Sequence, residues 1–181
     1  LSPAPFTVPI AVLAGTSLAA FWLAAPVARA LALSSARGLG IPVRDPATLE
    51  RLARVDVVCV DADPGLTSDA ALAVRALGDR GVAVHLFSER RAEATRLCAS
   101  WIGARAVAPP GAAAAALHVR DLQVVGAWVA VIGTCDGPAA ARADLALALP
   151  GELLPLAHVI DVSRALRARR PTGRPSACAR T

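Results

Sequence analysis

Residues 55–61 read Val-Asp-Val-Val-Cys-Val-Asp, and no other stretch limits the architecture as much. Four of the seven side chains are β-branched and apolar, which suits a strand covered on both faces rather than a surface helix. Strands buried on both faces belong to parallel sheets flanked by helices. The run stops at Asp61, and Ala62-Asp63-Pro64-Gly65 supplies turn formers that cannot extend it. In an open parallel sheet, ligands sit outside the carboxyl ends of the strands, so Asp61 is placed where chemistry is expected.

The same alternation of apolar runs and helical patterns continues downstream. Strands are predicted near 55–60, 82–87, 104–108, 128–132 and 145–148, with helices between them. Ala70 to Leu77 has apolar helical spacing and ends at Gly78 to Gly81; Arg90 to Trp101 is closed by Ile102-Gly103. Pro109-Pro110-Gly111 turns the chain into an alanine-rich helix from Ala112 to Val125. Asp45-Pro46-Ala47-Thr48 offers a helix start within a short amphipathic connector, 44–54. The expected fold is a doubly wound, parallel-sheet α/β domain over 44–170. Asp161 to Arg170 reads as the start of a helix returning toward a membrane, and 171–181 as a disordered tail rich in Pro, Gly, Ser and Arg.

Hydrophobic residues make up 55% of the 181, which calls for a membrane segment. Phe6 to Val27 is a stretch of 22 uncharged, mostly apolar residues, long enough as a helix to span roughly 33 Å. A transmembrane helix is therefore expected over 6–33. Arg29, Arg37 and Arg44 follow the uncharged stretch Phe6 to Val27, which places the α/β domain on the cytoplasmic side of an inner or plasma membrane, in contact with membrane lipid. A secretory signal with small-x-small cleavage at Ala28-Arg29-Ala30 is the competing reading, but the chain has no basic lead-in and the apolar stretch is too long for one. The chain begins at Leu1 and contains no Met, which reads as a fragment or a processed product. The net charge of +5 comes from scattered arginines, and aromatics are only 3%, so neither a basic stripe nor stacking platforms for nucleic acid are present. All 19 basic residues are arginine and none is lysine. The four cysteines form no C-x-x-C pair and are expected to be free thiols.

The stretch from Asp61 to Thr67, D-A-D-P-G-L-T, resembles the D-K-T-G-T-L-T phosphorylation motif of P-type cation-transporting ATPases. Further residues fall at that family's spacing. Leu23-Ala24-Ala25-Pro26 resembles the L-A-T-P closing the ion-binding helix of the heavy-metal pumps. Gly40-Ile41-Pro42-Val43-Arg44, Leu49-Glu50 and Val55-Asp56 then lead without a gap to Asp61. The resemblance implies that Asp61 is the phosphorylated nucleophile of a HAD-like (haloacid dehalogenase-like) domain. It places Ser88 on the threonine of T-G-D, with Glu89 and Arg90 on the other two positions. Asp136, in Gly133-Thr134-Cys135-Asp136-Gly137, takes the second of two acidic Mg²⁺ positions, the first being lost or replaced by Thr134. The metal-binding C-P-C falls on Ser17, Leu18 and Ala19, and the phosphate-holding lysine near Ala115. A nucleotide-binding domain normally follows Thr67, but here Ser68-Asp69 leads directly into the next helix, and the actuator domain is missing too.

Three functions are compatible with this set. One is a degenerate relative or fragment of a cation pump, unable to pump alone and in need of other subunits or missing parts. A second follows from Asp61-Ala62-Asp63, a D-x-D of the kind HAD-like phosphatases use, with Asp61 as nucleophile, Asp63 as general acid–base, and Mg²⁺ on Asp61 and Asp136. The third is a membrane-anchored, non-catalytic interaction module. His85 reads as a strand residue half-covered by a helix, and Asp144 as a turn or cap residue before the final strand.

Overall fold

The computed structural model describes residues 23–24, 26–41, 43, 45–62, 66, 68–88, 92–107, 111–133, 136–149 and 153–168. Five strands form one sheet: β1 (Val57–Asp61), β2 (Ala83–Phe87), β3 (Arg105–Ala106), β4 (Val129–Ile132) and β5 (Leu145–Leu147). Their order is β3-β2-β1-β4-β5 and every pairing is parallel. The strand carrying the β-branched run is thus the central one, and all five of its residues are buried.

Strand alternation splits the core in two. Val58 and Val60 of β1 point into the larger cluster, with Leu77, Leu86, Ile102, Leu156 and Ile160; Val57 and Cys59 point into the smaller, with Phe87, Val119 and Val131. The helices sort accordingly. The first layer holds α1 (26–38), α2 (Pro46–Leu52), α3 (Ala70–Gly78), α4 (Ala92–Ile102) and α7 (Leu154–Ala168). The second holds α5 (Ala112–Val124) and α6 (Pro138–Arg142). A doubly wound, parallel α/β fold is the result.

Local chemistry accounts for the element ends. Asp45 caps α2 by accepting from Thr48 N at 2.7 Å, with Pro46 in the first turn. That hydrogen bond also holds the Asp45 carboxyl below its ordinary pKa. Gly40, at φ 76°, closes α1, and Ile41 N returns to Ala36 O at 3.0 Å. α7 is fastened to the sheet by arginines. Arg80 chelates Asp161 at 2.8 and 2.5 Å, while Arg164 donates to the carbonyls of Arg80 at 2.6 Å and Val55 at 3.1 Å.

Several expectations are revised. Among the described residues, no helix is long and apolar enough to cross a membrane. Residues 6–22 of the expected span lie outside them, as does the tail 171–181. Helix α1 runs past residue 33 to 38, and Ala32 and Ala36 are buried in the larger core. Small side chains one turn apart let this helix lie close to the domain, a contact with no apolar run to announce it. α7 begins seven residues before Asp161 and packs along α2 and α3 as an integral layer element. β3 shrinks to two residues, and α6 occupies part of what reads as loop.

Candidate functional site at the carboxyl edge of the sheet

Parallel neighbours bring the ends of β2, β1 and β4 to one edge, and three sequence-predicted residues arrive with them. Asp61 is the last residue of β1, 9% exposed and in register with Phe87. The chain is held extended one residue further by Ala62 N donating to Phe87 O at 2.9 Å. Ser88 follows β2 directly and is 2% exposed. Its carbonyl accepts from Gly111 N at 3.1 Å, which pins the entry to α5 at the same edge. Asp136 lies three residues beyond Gly133 on the exposed turn between β4 and α6. Asp63 lies outside the described residues, with Glu89, Arg90, Thr134, Ser17, Leu18 and Ala19.

Gly133 decides how the β4 loop passes Asp61. Its φ is 140°, and a Cβ built on it would stand 2.5 Å from the Asp61 Cβ and 3.5 Å from Oδ2. Any side chain at this position would collide with the aspartate, so the bare backbone is what allows the loop over it. The sequence marks the glycine as part of a motif but does not reveal what it clears.

The α5 side of the edge departs from a working phosphoryl site. Ala115, where the resemblance puts a lysine, is 3% exposed in the smaller core with Val57, Cys59 and Phe87. A methyl group fills the position. The N-terminus of α5 reaches this edge through Gly111 without a side-chain cap, so its helix dipole supplies a partial positive charge there. Asp61 and Asp136 offer hard oxygen donors only. That suits Mg²⁺, which binds through one or two carboxylates and keeps waters and phosphate oxygens for its other positions. No cluster of three or more His, Cys, Asp or Glu able to hold a metal occurs among the described residues.

Other titratable groups belong to the interior. Burial pushes the Cys59 thiol up to about 12, which makes it an inert core residue; Cys59 and Cys98 are both unpaired. His85, expected as a half-covered strand residue, is 5% exposed beneath α5. Its Nδ1 lies 2.7 Å from His118 Nε2, one ring donating to the other. Burial, then His118, then Arg105 bring the His85 pKa down to about 4, and burial lowers that of His118 as well. Nothing in the order of residues links positions 33 apart on a strand and a helix. Asp144 lies in the bend before β5, as expected, and also acts as a cross-link, its Oδ2 accepting from Val129 N at 2.9 Å and Gln123 Nε2 at 3.1 Å.

No family model matches the chain, and no curated protein sequence matches it. Among solved structures, it is similar to a zinc-transporting PIB-type ATPase, with TM-score 0.65 and 15% identity over 80% of this chain and 46% of that one. The chain shares its fold with part of that pump and spans less than half of the pump's length. Two phosphatases also resemble it. One is the cobalt-bound deoxy-D-mannose-octulosonate 8-phosphate phosphatase of Haemophilus influenzae, at 16% identity, 64% of this chain, 92% of that one and TM-score 0.49. The other is the 3-deoxy-D-manno-octulosonate 8-phosphate phosphatase of Moraxella catarrhalis, crystallised with magnesium, phosphate and KDO, at 12%, 67%, 95% and 0.47. At these identities the likeness is one of fold.

Proposed function

We propose that this HAD-like domain carries a slow, Mg²⁺-dependent phosphatase site, with Asp61 as nucleophile. The observation that carries the reading is the place of Asp61, nearly buried at the carboxyl end of the central parallel strand with the bare backbone of Gly133 passing over it. In this reading the Asp61 carboxylate attacks phosphorus in line and the bond to the leaving oxygen breaks. Asp63 gives that oxygen its proton and takes one back from the water that hydrolyses the aspartyl phosphate. Ser88 orients a phosphoryl oxygen by donating its hydroxyl hydrogen. Asp61 and Asp136 would hold Mg²⁺, which when bound neutralises charge on the phosphoryl group. Ala115 leaves one electrostatic stabiliser missing, a loss of about 10²–10³ in rate by comparison with similar deletions.

A second reading is that the chain is a degenerate relative or fragment of a P-type cation-transporting ATPase. It is supported by the likeness to the zinc-transporting pump over 80% of this chain, and by the ungapped spacing from Pro26 to Asp61. In that reading 6–33 anchors the domain in a membrane, and other subunits or missing parts would complete the pump. Against pumping by this chain alone stands the direct passage from β1 to α3: Ala70 opens the helix nine residues after Asp61, with no room for a nucleotide-binding insertion.

The test is hydrolysis of p-nitrophenyl phosphate by the full chain with Mg²⁺. Turnover that Asp61→Asn abolishes supports the phosphatase. Equal rates for the two proteins would overturn the phosphatase and leave the degenerate pump relative and the non-catalytic, membrane-anchored module.

A further inference from the structure

A cavity of about 50 Å³ lies at the opposite edge of the sheet, enclosed by α1, α2, α7 and the lead-in to β1. Arg54, on its wall, and Asp61 are seven residues apart along an extended segment, roughly 23 Å, so the cavity is separate from the Asp61 site. Three arginines line it, Arg29, Arg54 and Arg167, against one acidic residue, Glu50. Glu50 holds Arg29 only loosely, at 3.8 Å, with the two side chains 46% and 42% exposed. Arg54 is braced with its Cζ 4.9 Å above the Trp128 ring, which fixes the side chain without neutralising it. Arg167 has no carboxylate partner among the described residues.

Ser163 supplies an independent observation. It is 2% exposed on α7, it lines the cavity, and its hydroxyl has no hydrogen-bond partner. A helical serine ordinarily satisfies itself by donating to the carbonyl one turn back, so a buried hydroxyl left over at a cavity wall is a donor awaiting an acceptor. The cavity exceeds the roughly 10–15 Å³ that one water needs. A tetrahedral oxyanion supplies several acceptor oxygens, which matches forked guanidinium donors and a single hydroxyl.

We propose that this cavity binds a phosphate-class oxyanion, held by Arg29, Arg54 and Arg167 with Ser163 donating from the floor. The anion ties α1 to α7 and acts as a clasp between the N-terminal helix and the domain. The same chemistry is presented by a lipid phosphate headgroup and by free phosphate.

The experiment titrates the full chain, in non-ionic detergent, with inorganic phosphate and separately with dihexanoyl phosphatidate, reading tryptophan fluorescence and melting temperature. The expected result is a saturable response that persists in Asp61→Asn and in Arg75→Ala, a surface control on α3. It weakens about tenfold in Arg167→Ala and several-fold in Ser163→Ala, as for lost charge-assisted and neutral hydrogen bonds. Tighter binding of the phosphatidate identifies a lipid headgroup, and equal binding identifies free phosphate. Ser163→Ala removes only an unpartnered hydroxyl, so its fold stays intact and the comparison holds even if an arginine variant misfolds. Absence of a saturable response to both probes overturns the proposal, as does a response unchanged in both Ser163→Ala and Arg167→Ala or one lost in Asp61→Asn.

Discussion

Gly133 and Asp61 stand backbone to side chain, so close that a single added carbon on the glycine would lie 2.5 Å from the aspartate Cβ. Gly133→Ala must therefore move the loop or the aspartate, at a φ of 140° that an L-residue adopts only under strain. The expected loss of stability is about 1–3 kcal/mol from backbone strain alone. Denaturant melts should show that loss, and any phosphatase activity should fall with it.

Returning a lysine to α5 does not simply restore a phosphoryl site. Ala115→Lys would drive an ammonium into the cluster of Val57, Cys59 and Phe87. The cost is on the order of several kcal/mol unless the amine deprotonates or escapes. Thermal melts should place Ala115→Lys well below the parent; a variant as stable as the parent would show that the side chain reaches the open edge.

Acid sensitivity should report on the histidine pair. His85 has its pKa depressed to about 4 from 6.5, so the unfolded chain binds its proton more readily than the native one. Its contribution to stability is complete above about 6.5 and is lost as pH falls toward 4. Around it, Arg105 lowers both histidines and Asp121 opposes the shift at His118. His85→Gln should flatten the dependence of melting temperature on pH between these limits. An unchanged slope would mean that the ring is not buried in its neutral form.

The two arginine contacts at α7 differ in worth. Arg80 and Asp161 form a partly exposed pair, and Asp161→Asn should cost under about 1 kcal/mol despite the good geometry. Arg164 serves two main-chain carbonyls, and Arg164→Ala should cost more, about 1–3 kcal/mol, because those acceptors lose their donor. Urea melts of the two variants in parallel give the ranking.

The central strand and its neighbours are legible in the sequence because β-branched side chains at 57–60 and along 82–87 and 129–132 leave no other covered element of that length. Asp61 follows from where that strand ends. What escapes the sequence rests on small residues and distant contacts. Ala32 and Ala36 bury a helix face through closeness rather than hydrophobicity, and three of the five residues of the Pro138–Arg142 helix are alanine. His118 gains its partner only when α5 lies on β2, and Ser163 becomes unusual only when the helix it sits on closes over α2.

The direct passage from β1 to α3 also bears on how such domains change size over time. Its two ends are fixed by the sheet on one side and by the buried first turn of α3 on the other, since Ala70 and Ala73 sit in the core. Whatever joins Ala62 to Ser68 has only to span a set distance, and each doubling of such a connection costs only about 0.6 kcal/mol in closure entropy. A whole independently folding unit could be spliced in there, or removed, without disturbing a single strand pairing. The junction is a modular seam, and long and short versions of one sheet can be exchanged across it.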